Sequence, residues 1–140
     1  MINISDPHFG VYGLIIQNGK VLTVRKNRGP YQGLLCLPGG TPMINETDHD
    51  TLKREIKEET GADIKSIGEF FKFDLHVNKD SFDKPISFRH SGYWALITVQ
   101  GIDLNIKDAE DVESLQWIDL DNWELRKDLS LPLRTVFKNV

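Results

Sequence analysis

Glu55, Glu58 and Glu59 stand at i, i+3 and i+4, so in a helix their carboxylates occupy adjoining positions on one face. Like charges so placed repel by about 0.2–0.5 kcal/mol per pair. Glu58 and Glu59 also fall in the last turn before Gly61. There, exposed carbonyl oxygens and the negative end of the helix dipole disfavour an anion by about 0.3–1 kcal/mol at an exposed position. A divalent cation held by several of these oxygens removes the repulsion. Hard Mg²⁺ prefers oxygen ligands and completes its octahedron with waters and phosphate groups. On spacing alone, a solvated acidic face partly screened by Lys53 and Lys57 is the favoured explanation of the run.

The elements that must position these groups are legible in the 140 residues around them, a length suited to one domain, residues 1–140, with a core of ordinary size. A helix is predicted over Thr47 to Thr60, with Leu52 and Ile56 on its buried face, Thr47 or Asn45 capping its start and Gly61 stopping it. Ahead of it the short apolar run Leu34–Leu37 is stopped by Pro38 and followed by Gly39 and Gly40, which end regular pairing and permit unusual backbone angles. Two earlier runs, Val11–Ile16 and Val21–Val24, are joined through Asn18-Gly19 and read as an antiparallel hairpin. Phe71, Phe73, Leu75 and Val77 alternate with polar residues as in a strand with one buried face, and the polar stretch from Asn78 to Pro85 reads as a loop. Tyr93–Val99 and the short Gln116–Ile118 are further strands, and Leu131–Val140 is a closing helix with Pro132 in its first turn. Strands interleaved with helices imply an α/β class, with a mixed sheet covered by helices.

Several functions are disfavoured. With 17 basic against 21 acidic residues the formal charge is −4, which lacks the broad positive field needed for a stable nucleic-acid complex or for binding an anionic membrane. No apolar run approaches the ~20 residues of a membrane-spanning helix, and the first ten residues carry no signal-peptide pattern. Cys36 is the one cysteine, so no intrachain disulfide or zinc pattern is available, and a reducing cytoplasmic location is the expectation. No Gly-x-Ser-x-Gly elbow occurs, and Gly13 to Lys20 fails the P-loop pattern in its spacing and in the residue after the lysine.

The wider pattern changes the reading of the acidic helix. Residues 40–62 read GTPMINETDHDTLKREIKEETGA, which resembles the Nudix box: Gly, five residues, Glu, seven residues, then Arg-Glu-U-x-Glu-Glu-x-Gly-U with U bulky and aliphatic. Gly40, Glu46, Arg54, Glu55, Ile56, Glu58, Glu59 and Gly61 match it, and only Ala62 departs, as a smaller apolar residue. Leu37-Pro38-Gly39-Gly40 resembles the usual lead-in, and Trp117-Ile118-Asp119-Leu120 with a final helix follows the family's order. The resemblance implies an α/β/α sandwich with a mixed sheet. It also implies a hydrolase dependent on Mg²⁺ or Mn²⁺ that cleaves a pyrophosphate linkage in a nucleoside diphosphate-X or triphosphate by water attack at phosphorus. A nucleotide-type small molecule is then the partner, and homodimers are common in the family. The alternative within it is a non-catalytic domain that binds a nucleotide and regulates, against which the intact Glu55, Glu58 and Glu59 speak.

Residue by residue, the resemblance makes Glu58 and Glu59 the main metal ligands, Glu55 a further ligand or the base that deprotonates water, and the Gly39 carbonyl an added ligand. It gives Arg54 an orienting role between the helix and Glu46. Another acidic group from a later loop is often recruited in the family, and Glu110, Asp111 and Glu113 are the candidates, with Glu113 taken as the metal ligand. Arg25 and Arg28 precede the glycine loop and are candidate substrate-phosphate binders through the planar guanidinium. His8, His49, His76 and His90 show no mutual metal-site spacing and are assigned packing or surface roles. Cys36, between Leu35 and Leu37, reads as a core thiol, and Tyr31, Phe88, Tyr93 and Trp94 are core residues or a stack for a base.

Overall fold

Alternation along two strands sets the layers. In β2 (His8–Leu14) and the residue beyond it, Val11 and Ile15 share a buried cluster with Leu52 and Ile56, whereas Tyr12 and Leu14 join Leu133, Val136 and Phe137 in another. β8 (Pro85–Gln100) repeats this division, with Ala95, Ile97 and Val99 in the first cluster and Trp94 in the second. The helices α1 (Asp48–Thr60) and α2 (Leu131–Phe137) therefore cover opposite sides, which gives the α/β/α layering. Leu52, Ile56 and Leu133 are 0% exposed, and burying each such side chain contributes about 1.5–3 kcal/mol. The computed structural model describes residues 2–3, 8–106 and 109–140.

The sheets are mixed. β1 (Ile2–Asn3) and β2 run parallel to β8, while β6 (Gly39–Gly40) is antiparallel to β2, and β7 (Asp63–Lys79) is antiparallel to β8. The second sheet centres on β4 (Lys20–Lys26), with β9 (Val112–Asp119) along one side and β3 (Ile16–Gln17) and β5 (Leu35–Cys36) along the other. No helix among the described residues is long and apolar enough to cross a membrane.

Local expectations differ at several points, among them the closing helix, which ends at Phe137 rather than Val140. The Asn18-Gly19 turn is present, with φ of 54° and 74°, but only Ile16–Gln17 pairs with β4. The chain changes sheets at Ile15, because β2 pairs along its whole length with β8 instead. Gly39 and Gly40, expected to end pairing, form a short rung with Val11 and Tyr12. The expected loop over residues 78–85 shrinks to Asp80–Lys84, since β7 and β8 extend into it as one long hairpin. The short Gln116–Ile118 strand is the middle of β9, whose whole length pairs with β4.

Candidate active site

Both ends of α1 are fixed by local chemistry. Thr47 and Asp50 close a capping box, each side chain bonded to the other's backbone N–H, at 3.1 and 3.2 Å. At the far end Gly61 takes the left-handed conformation and its N–H donates to the Lys57 carbonyl. Between them Leu52 and Ile56 anchor the helix on β2 and β8, close to the β6 rung. That closeness is why glycine stands at 39 and 40. Gly39 has φ of 148°, and a Cβ there would lie 2.2 Å from the Val11 carbonyl oxygen. A Cβ on Gly40 would lie 2.6 Å from the Glu55 carboxyl carbon.

The carboxylates differ in environment. Glu59 is 5% exposed, and its Oε1 accepts from the Gly39 N–H at 2.8 Å. Its other oxygen has no hydrogen-bond partner among the described residues. Burial pushes the Glu59 carboxyl up to about 8, offset in part by that N–H and reinforced by nearby Glu55. Burial likewise raises Glu55, against the pull of Arg54. Glu58 is half-exposed. Arg54 ties these groups to the preceding loop: Nε and Nη2 donate to Glu46 at 2.8 and 2.9 Å, Nη1 to Glu55 at 2.7 Å, and Nη2 also to the Thr41 carbonyl. Glu46 accepts further bonds from Met43 N–H and Thr51 Oγ1, and the Arg54 guanidinium above all holds its carboxyl down at about 2.

These groups open onto a cavity of about 780 Å³ that is also lined by Lys26, Arg28, Tyr12, Tyr31, Phe88 and His90. No three carboxylate, imidazole or thiol groups among the described residues converge on one point, and Glu55 is held by Arg54. The donor set nevertheless fits a hard divalent ion. It is all oxygen, and the buried Glu59 carboxylate has one unpartnered oxygen whose charge burial makes costly unless a cation meets it.

The family model for the Nudix domain matches residues 6–140. The chain belongs to the Nudix family. Among relatives of this Nudix chain, an ADP-ribose pyrophosphatase of Methanocaldococcus jannaschii is 30% identical over 118 residues, covering 83% of this chain and 64% of the relative. Nudix hydrolase 2 of Arabidopsis thaliana is 27% identical, covering 81% of this chain and 40% of the relative. The chain thus spans less than two thirds of either curated relative. Among solved structures, a MutT Nudix hydrolase from Burkholderia pseudomallei superposes with a TM-score of 0.74 at 25% identity, covering 97% of this chain and 99% of that one.

Within this Nudix domain, Arg54, Glu55, Glu58, Glu59, Gly39 and Gly40 all line the cavity, while Glu46 supports it through Arg54 and Gly61 through the helix end. Ala62, smaller than the Nudix pattern usually has, is fully buried in the α1 cluster. Arg28 reaches the cavity and is paired with Glu110 and Asp111, which line it too. Arg25 does not. It donates to the Gly33 carbonyl, Gln116 and Asp128, bracing β4 against its neighbours. Glu113 is exposed on β9, at the irregularity where that strand shifts register against β4, and lies outside the cavity lining. Of the histidines given packing or surface roles, His8 and His90 line the cavity. Lys26 and Tyr12, which no local sequence pattern marks, also line the cavity, and Lys26 places a positive charge near Glu55 and Glu59.

Proposed function

We propose that this Nudix domain is a pyrophosphohydrolase of nucleoside diphosphate-X or nucleoside triphosphate substrates that works with Mg²⁺ or Mn²⁺. The observation that carries the reading is the buried Glu59 carboxylate, pinned by Gly39 N–H beside Glu55 and Glu58 at the wall of a cavity. Glu55, Glu58, Glu59 and the Gly39 carbonyl are the groups that would hold the ion. When bound, such an ion neutralises phosphate charge and polarises a water. The protein supplies the rest. Arg54 binds Glu55 and, through Glu46, locks helix to loop, which keeps the three carboxylates at the cavity wall before substrate arrives. Glu55, raised by burial, suits proton acceptance from an attacking water, and serves otherwise as a ligand. Lys26 and Arg28 face the same space and match the negative charge of a diphosphate. The buried lone thiol of Cys36 suits a reducing cytoplasm.

ADP-ribose is the first substrate to test, because the Methanocaldococcus relative is named for it. A panel of ADP-ribose, sugar nucleotides, dinucleoside polyphosphates and ordinary or oxidised triphosphates, each with Mg²⁺ and with Mn²⁺, is read for nucleotide product and released phosphate. Cleavage within the pyrophosphate of at least one member, abolished by Glu58→Gln with Glu59→Gln, is the expected result. Tight nucleotide binding without turnover would instead establish a non-catalytic binding domain.

A further inference from the structure

Away from the carboxylates, the cavity holds a hydrogen-bonded chain that the proposed hydrolysis does not use. Buried His90 lies between two tyrosines, with Nε2 2.7 Å from the Tyr12 hydroxyl and Nδ1 2.7 Å from the Tyr31 hydroxyl. Proton counting is decisive here. A neutral imidazole has one N–H and one lone pair, so it donates to one tyrosine and accepts from the other. The tyrosine that accepts keeps its own O–H proton unspent. Either tautomer leaves one surplus donor, and neither hydroxyl has another partner among the described residues. The imidazole is neutral because burial, then His8, whose ring centroid is 4.9 Å away, and then Lys26 hold it down at about 3.

We infer that Tyr12, His90 and Tyr31 form the specificity clamp for the base of the nucleotide, offering one hydroxyl proton to a ring nitrogen. This rests on the nucleotide reading above and names the part of the substrate that it leaves open. Three features support the assignment. Tyr12, Tyr31 and His90 all line the cavity, whose wall there is aromatic: Tyr31, Phe73, Phe88 and Trp94 suit a planar ring. Tyr12 also joins the two ends of the site, since its backbone pairs with Gly39 while its hydroxyl reaches His90. The clamp therefore stands one tyrosine side chain from the diphosphate end, a separation suited to the sugar between base and phosphate. Finally, the clamp is held rigid, with the Tyr12 ring lying over Gly10, where a Cβ would come within 2.3 Å of its hydroxyl.

The test is equilibrium binding of AMP, GMP, CMP and UMP to the whole chain by calorimetry in EDTA, so that neither metal nor turnover is required. Wild type should prefer one base over the poorest by about tenfold, the worth of one well-placed neutral hydrogen bond. Tyr12→Phe combined with Tyr31→Phe, which removes both hydroxyls, should reduce that preference to near unity, whereas either single variant still leaves one surplus proton on the remaining pair. His90→Gln, which can still donate to one tyrosine and accept from the other, should retain preference that His90→Leu loses. If a variant does not fold, a deaza analogue of the preferred nucleotide, with its acceptor nitrogen replaced by carbon, decides on wild type alone by losing about the same tenfold. The clamp is overturned if wild type does not discriminate or does not bind, if the deaza analogues bind as well as the parents, or if the variants weaken all four ligands equally. Base discrimination without hydrolysis of any substrate panel member would remove the proposed function and leave the clamp standing.

Discussion

Gly40→Ala separates the catalytic geometry from the stability of the fold. The backbone at Gly40 lies outside the left-handed region, so alanine is conformationally acceptable there and the rung with Val11 can persist. The added methyl would lie 2.6 Å from the Glu55 carboxyl carbon and 2.7 Å from Oε1. That is short of ordinary van der Waals separation by about 0.8 Å. The colliding group is the end of a flexible side chain, so Glu55 swings away at little cost and Tm should fall by less than about 4 °C. Its carboxylate is then displaced by most of an ångström, and a misplacement of that size costs about 10- to 100-fold in kcat/KM. The comparison variant is Gly39→Ala. There the methyl meets the Val11 carbonyl oxygen at 2.2 Å, in a left-handed backbone, so the fold itself suffers. Thermal melts and steady-state kinetics on the best substrate of the panel distinguish the two. If Gly40→Ala keeps kcat/KM within about twofold, the claim that Glu55 must occupy its present place is wrong.

Adding Mg²⁺ should raise Tm, since a ligand at a hundred times its Kd stabilises by about 2.7 kcal/mol. Glu58→Gln/Glu59→Gln should lose most of that rise in the same melt. Because the His90 pKa in the fold, about 3, lies below its ordinary value, the unfolded chain takes up the proton first. Stability from this group is therefore intact above about pH 6.5 and declines as pH falls toward 3, and urea midpoints across that window should show a shallower decline in His90→Gln. Arg25→Ala should lower Tm and leave KM nearly unchanged, because its partners are Gly33, Gln116 and Asp128. Arg28→Ala should raise KM with little change in Tm, as expected for an exposed ion pair at the cavity mouth.

Legibility in the sequence follows sequence distance. α1, its Thr47 cap, its Gly61 stop and the carboxylate face depend on residues within a few positions of one another, and periodicity with the box pattern exposes them. The ion pair from Arg54 to Glu46 was readable only through the family pattern, since Glu46 lies in the loop ahead of the Thr47 cap, outside the helix period. Arg25 and Arg28 look equivalent as letters, yet the pairing of β4 with β9 and β5 places Arg25 among structural partners, and Arg28 lies past the strand end. Glu110 and Asp111, in the turn ahead of β9, line the cavity, while Glu113, inside the strand, does not. Tyr12, Tyr31 and His90 meet across separations of 78 and 59 residues. Their meeting depends on the parallel pairing of β2 with β8, which no local pattern encodes.

The alternation of β2 has an evolutionary consequence. Val11 and Ile15 hold the helix that bears the carboxylates, while Tyr12, between them in sequence, faces the opposite side and the ligand. Mutations at the ligand-facing position can therefore retune which compound is accepted without loosening the helix seat, because successive side chains on a strand never share a surface. One short segment thus permits chemistry to be inherited while preference drifts.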